Sequence, residues 1–322
     1  MSPDPSALAL NVTDLNEAIA FFTQRCGFRV EMILPADAPQ MAVVSGQGMT
    51  LRLEAERANT ADATPEQHTE HHREFIISRF DSTNAWHEGR AGMQYRDLIP
   101  GRLGGQFIAS HIRIPNGGPV PDYVHYHKIR FQMIFCKTGW VRVVYEDQGP
   151  PFVLEAGDCV LQPPEIRHRV LEASPGLEVI EIGAPALHET WADHQLELPT
   201  KSLLPERLFN GQRFVRHCAD KATRVPWRLE GFEARDTGIA AATNGLAAAR
   251  VVKATLPVTA SAQAHAGEFL FLFVLQGELS ISSQVQEIHS LRTDDSCVIP
   301  AGVDYTLHAD AELEMLEVSL PA

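Results

Sequence analysis

His125-Tyr126-His127-Lys128-Ile129-Arg130-Phe131-Gln132, answered by Gly157-Asp158-Cys159-Val160-Leu161-Gln162-Pro163-Pro164-Glu165-Ile166-Arg167-His168, decides how this chain is read. Side chains alternate along a strand, so His125 and His127 share one face of a sheet. Two imidazoles on one face, joined by a third from a later strand, form half of a metal coordination sphere. Around them the pattern is all-β. Phe107 to Ile114, Phe131 to Lys137, Val141 to Glu146, Phe152 to Leu154, Cys159 to Gln162, His168 to Glu172 and Leu177 to Gly183 read as short strands. Turn chemistry such as Thr138-Gly139, Ala156-Gly157-Asp158 and Ser174-Pro175-Gly176 separates them. Short, regular strands of this kind predict a sandwich or barrel.

The order of elements then recurs. Phe269 to Leu275, Gln276-Gly277, Glu278 to Ser282, Cys297 to Pro300 and Leu313 to Ser319 repeat it, and nearly the same spacing separates Gly139 from Pro163 as Gly277 from Pro300. The repeat implies two copies of one barrel. The first copy resembles the cupin superfamily. Its first motif, HxH, then a glutamate, then a glycine, reads here as His125, His127, Gln132 and Gly139. Its second, G-x5-P-x-G-x2-H, reads as Gly157, Pro163, Glu165 and His168. The departures are Gln for Glu at 132 and Glu for Gly at 165. The resemblance covers about residues 93 to 322. It implies a mainly β chain of two tandem cupin-type barrels, a jelly-roll or double-stranded β-helix fold.

Residues 6 to 54 read as a separate unit: a strand at Ala7 to Val12, a helix Leu15 to Arg25 capped by Asp14, and three further strands. This small α+β module, of βαβββ order, resembles one half of the glyoxalase/bleomycin-resistance (vicinal oxygen chelate) family. The family's first metal ligand would fall near Ala7, which holds no metal, and Glu54 would stand alone. The expected role is therefore structural or dimer-forming. The expected divisions are 1–56 for this module, 57–92 for a polar linker, 93–200 for the metal-binding barrel and 201–322 for a degenerate one. In the linker, His68, His71 and His72 read as solvated. In the second barrel His265 matches the first ligand, but Gly267 and Tyr305 occupy the other ligand positions. His265 and His308 therefore read as core or pocket residues.

The resemblance implies one divalent transition metal per chain, held by His125, His127, Gln132 and His168. Imidazole and amide ligands suit Fe, Mn, Ni, Zn or Cu. A glutamine, unlike a glutamate, cancels none of the metal's charge, so the site is expected to favour an anionic small molecule. Glu172 shares parity with His168 and is a candidate general base. Glu165, in the turn before His168, and Arg130 are weaker candidates for substrate binding, and Arg142 and Arg167 weaker still. Tyr126 and Lys128 should face away from the site, and His188 could line its mouth. The activity implied is that of a metal-dependent enzyme on an enediol, dicarbonyl or aromatic diol, with a dioxygenase leading. Redox-neutral isomerase, cyclase or lyase action on the same chelate, or a non-catalytic sensor, are the alternatives.

Bulk properties agree with a soluble two- or three-domain protein. The chain has 322 residues and a net charge of −14, which disfavours nucleic acid and anionic membranes as partners. No apolar run is long enough to span a bilayer, and no signal peptide opens the chain. Five scattered cysteines without CxxC pairing read as reduced core thiols in a cytoplasmic protein. The half-module in front predicts a homodimer, since its lone sheet calls for a second copy to cover it.

Overall fold

A computed structural model describes residues 7–56, 74–81, 86–284 and 286–321; the linker histidines His68, His71 and His72 lie outside them. The chain is mainly β, and its strands form two jelly-roll barrels. In the first, strand Phe131–Thr138 lies between Cys159–Leu161 and Leu177–Ala184, and the sheet continues through Ile108–Ile114 and Gln94–Asp97. The opposing sheet carries His125–His127, His168–Ala173, Trp140–Tyr145 and Phe152–Glu155. The second barrel repeats this with Phe269–Gln276 beside Glu314–Leu320, faced by Val258–Ala262, Tyr305–Ala309, Glu278–Ser283 and His289–Arg292.

The two barrels turn their equivalent hairpins on glycine for the same reason. Gly139 has φ 75° and Gly277 φ 79°. A Cβ at Gly139 would stand 2.3 Å from Ser174 Oγ, and one at Gly277 2.7 Å from the Leu313 nitrogen. Both positions need the left-handed backbone and the missing side chain together.

Apolar alternation gives each barrel two buried faces. One lines its own interior. The other meets the partner barrel, where Phe107, Phe131, Met133, Ile180 and Ile182 pack against Phe269, Phe271, Phe273, Leu316 and Val318 in one continuous core. Phe107 and Phe269 stack at 4.3 Å with planes 8° apart. Beside this core runs a polar seam. His111 Nε2 lies 3.0 Å from Glu178, and Lys137 Nζ reaches Glu178 at 2.6 Å and Asp294 at 2.8 Å. The hydrogen bond with His111, helped by Lys137, draws the Glu178 carboxyl down to about 2. His111, Glu178 and Asp294 are close enough to hold a cation, but Lys137 already supplies that charge.

The expected divisions need correcting in two places. Ile76–Ser78, assigned to the linker, pairs with Ser296–Val298 of the second barrel. Val215–His217, assigned to the second barrel, pairs with Cys159–Leu161 of the first. His87–Glu88 also pairs, with Gln94–Asp97, so the described part of 57–92 is not an irregular connector. Three-residue strands show no readable period, and what places them is the unpaired edge each one covers.

In the N-terminal module, Leu8–Val12 runs parallel to Met49–Ala55, and helix Leu15–Arg25 is capped by Asp14, whose Oδ1 accepts from the Glu17 nitrogen at 2.9 Å. The module does not leave its inner edge open. Arg29–Leu34 pairs with Thr190–Ala192, which pairs in turn with His125–His127. One sheet therefore runs from the module to the histidine pair. Among the described residues no helix is long and apolar enough to cross a membrane.

Candidate metal centre

His125 and His168 sit opposite each other on antiparallel strands, with ring centroids 4.2 Å apart. His127 stands 5.2 Å from the first and 5.3 Å from the second. One ring nitrogen from each lies within 4.8 Å of the others, and all three residues are buried. Each Nδ1 is engaged by the wall: His125 with the Tyr123 carbonyl at 2.8 Å, His168 with the Ile166 carbonyl at 3.0 Å, His127 with Thr190 Oγ1 at 2.9 Å. A carbonyl only accepts, so Nδ1 of His125 and of His168 carries the proton and Nε2 keeps the lone pair. Outer partners of this kind fix imidazoles for metal ligation. The donor set thus fits a divalent transition ion.

Gln132 lines the same cavity. Its amide nitrogen donates to Glu181 Oε1, which leaves the amide oxygen as its ligand atom. Glu181 was not singled out from sequence. It lies on Leu177–Ala184, opposite Ile134, and Leu177, Val179 and Glu181 all face the cavity. The readable signal was an acidic residue at an inward-parity position in an apolar strand. Its carboxyl group amends the picture of a site without acidic groups, because one sits a single hydrogen bond beyond Gln132.

The cavity measures about 110 Å³, and at roughly 10–15 Å³ per water this is room for a small molecule only. Ile112, Ile134, Val141, Val143, Leu154 and Val179 make its walls apolar. Tyr145 stacks on His168 at 5.5 Å, and its oxygen accepts from Gln162 Nε2 at 2.9 Å. Burial raises the Tyr145 phenol, which therefore stays protonated. His188 also lines the cavity, 5.4 Å from His127, with Nδ1 3.0 Å from the Pro185 carbonyl. Burial lowers its pKa and keeps it neutral.

The N-terminal module closes one side through Ala36 and Asp37. Arg102 holds Asp37 and also binds Asp97, Nε to Oδ2, at 3.0 Å. Arg102 and Leu103 have φ 51° and 49° between glycines that are also left-handed, a strained turn that presents the guanidinium to Asp37.

Three sequence expectations fail here. Glu172 does not face the cavity. A register shift in its strand sets Val143 opposite Val170 but Arg142 opposite Glu172. This bulge reverses parity beyond Val170, and Glu172 pairs outside with Arg142 at 3.2 Å. Arg130 points to the second barrel, where Nη2 meets Glu268 at 2.7 Å. Glu165 is absent from the cavity lining; it occupies the family's glycine position with φ 64°, and its backbone nitrogen donates to the His127 carbonyl at 3.0 Å. Glu165→Gly is therefore expected to raise stability by up to about 1 kcal/mol, the left-handed strain relieved less glycine's entropy, with ligand binding unchanged. Denaturant unfolding and ligand titration check this; weakened binding would restore Glu165 to the site. Tyr126 and Lys128 face away as expected, under Arg167 and over Trp191. Burial pushes the Cys136 and Cys159 thiols up to about 12, which makes them unreactive.

In the second barrel the corresponding residues are engaged with the protein. His265 Nε2 donates to the Ile299 carbonyl at 2.9 Å, and the Tyr305 oxygen accepts from Arg228 at 2.7 Å.

Neither a family model nor a curated protein matches the chain. Solved structures do. An oxalate decarboxylase from Lactobacillus farciminis, as its formate complex, is 15% identical with a TM-score of 0.53, over 77% of this chain and 86% of that one. The oxalate decarboxylase from Bacillus subtilis, in a structure at pH 4.6, is 15% identical with a TM-score of 0.52, over 76% of each chain. A salicylate 1,2-dioxygenase from Pseudaminobacter salicylatoxidans is 16% identical with a TM-score of 0.53, over 70% and 75%. At these identities the likeness is one of fold, a tandem of two jelly-roll barrels, and all three neighbours are enzymes.

Proposed function

We propose that the chain is a metal-dependent enzyme acting on a small oxygenated molecule (an enediol, dicarbonyl or aromatic diol) inside its first barrel. The observation behind this reading is Glu181, a carboxyl group that shares a cavity with His125, His127 and His168 and is hydrogen-bonded to Gln132. His125, His127, His168 and Gln132 would hold the ion. A divalent ion held there would supply Lewis acidity toward substrate oxygens. Glu181 is placed to take and return a proton at the substrate, and the apolar walls keep water away from it.

Oxygen-dependent cleavage is the leading reaction. The likeness to a salicylate 1,2-dioxygenase supports it. An ionised Glu181 would also add negative charge beside an otherwise neutral ligand set, which eases oxidation of a bound metal. Redox-neutral bond cleavage or isomerisation is the second reading, favoured by Glu181 as a proton carrier and by the likeness to oxalate decarboxylases. Turnover of diols and dicarbonyls by Fe(II)- and Mn(II)-loaded protein, in air and without oxygen, separates them. Glu181→Gln is expected to lower kcat by about 100- to 10,000-fold at unchanged metal content; full activity in that variant would remove Glu181 from the chemistry. Binding without turnover under every condition would leave a sensor.

A homodimer is proposed through the N-terminal module, where Leu8, Phe21 and Met49 are exposed. Phe21→Glu should shift gel filtration to the monomer. A cytoplasmic setting is proposed from the five unpaired cysteines.

A further inference from the structure

We infer that the second barrel, which lacks the metal ligands of the first, carries a separate binding site for a small carboxylate with an apolar body. Its cleft is wider than the first cavity, about 770 Å³, and is lined by Trp227, Arg228, Arg250, Phe269, Leu270 and Tyr305 among others.

The cleft holds more donors than acceptors. Two guanidinium groups offer ten N–H bonds between them. Arg228 Nη2 serves Glu317 Oε2 at 2.8 Å and the Tyr305 oxygen at 2.7 Å. Arg250 makes no side-chain hydrogen bond among the described residues and is held by longer ion pairs, to Asp236 Oδ2 at 3.5 Å and Glu317 Oε1 at 3.6 Å. Trp227 Nε1 is buried and also has no partner. Asp236 Oδ1 accepts from the Gly238 nitrogen at 2.7 Å, and its Oδ2 faces Arg250 at 3.5 Å. Glu317, 2% exposed, lies between the two arginines, and Asp236 lines the cleft beside Arg250. Asp236 and Glu317 engage only part of the ten N–H bonds, and a further carboxylate, taken bidentately by a guanidinium, is the group that fits the rest.

The remaining surface selects an apolar body. Arg228 already lies over Trp227 at 4.2 Å, and Phe269, Leu270 and Tyr305 form the buried floor. With His265 turned to the Ile299 carbonyl and Gly267 and Tyr305 at the other ligand positions, recognition here rests on charge and aromatic contact instead of a metal.

Titration calorimetry of the full chain with benzoate tests this, with benzamide as the uncharged control. Benzoate should bind at least about 10-fold more tightly than benzamide. Arg250→Gln should weaken benzoate at least about 10-fold in a folded protein, because Glu317 keeps Arg228 at 2.8 Å when the longer Arg250 ion pairs are removed. Ser319→Trp should block the cleft and abolish binding. His168→Ala, in the other barrel, should leave it intact. Equal binding of benzamide, no effect of Arg250→Gln in a folded variant, or loss of binding in His168→Ala alone would each overturn the site, as would absence of benzoate binding.

Discussion

A His127→Ala variant is expected to bind divalent transition ions at least about 100-fold more weakly than the parent. Loss of an outer partner alone typically costs about 10- to 100-fold, and this substitution removes the ligand itself. The geometry leaves little compensation. His125 and His168 are held to backbone carbonyls and cannot swing to fill the gap, and His188 is tied to Pro185. Thr190→Val, which removes only the partner of His127 Nδ1, should fall between, at about 10-fold or more. Elemental analysis after dialysis against a graded chelator measures both. Equal metal content in His127→Ala and parent would refute the centre, and with it the enzymatic reading.

Phe269→Ala is expected to cost about 3–5 kcal/mol, the range for truncating a buried phenylalanine. Phe269 is 1% exposed, lies flat on Phe107 of the other barrel at 4.3 Å and continues to Phe271 at 5.9 Å. The cavity it leaves would be bounded by two sheets, neither of which can collapse without moving its barrel. Urea unfolding followed by far-ultraviolet dichroism and tryptophan fluorescence should show one coincident transition in the parent, shifted in the variant. Two separated transitions in the parent, with only one moved by the substitution, would mean that the barrels are stabilised independently.

Where local periodicity sufficed, sequence and structure agree. The helix Leu15–Arg25, the strands from Phe131–Thr138 to Leu177–Ala184 and the repeat beginning at Phe269 follow from apolar alternation and turn residues, and three histidines at motif spacing meet in space. What escaped depends on pairing between distant strands. Glu181 enters the site through the register of Leu177–Ala184 against Phe131–Thr138, which no local pattern fixes. Glu172 was assigned inward by counting parity, and a one-residue bulge defeated the count. Arg130 was a plausible anion ligand until the second barrel supplied Glu268. The place of Asp37 in the cavity wall depends on Arg29–Leu34 finding Thr190–Ala192, a contact between segments that carry no shared signal.

The pairing of Ile77 with Cys297 has a consequence for biosynthesis. About 220 residues separate the two, and at ribosomal speeds of roughly 5–20 residues per second the earlier segment waits roughly 10 to 45 seconds for its mate. Throughout that interval the nascent polypeptide exposes Ile76 and Ile77 with their unpaired strand edge, which can stick to neighbours on the polysome. Slower translation lengthens the exposure, so chaperone supply and codon choice, more than the stability of the finished protein, should govern how much of it a cell recovers in soluble form.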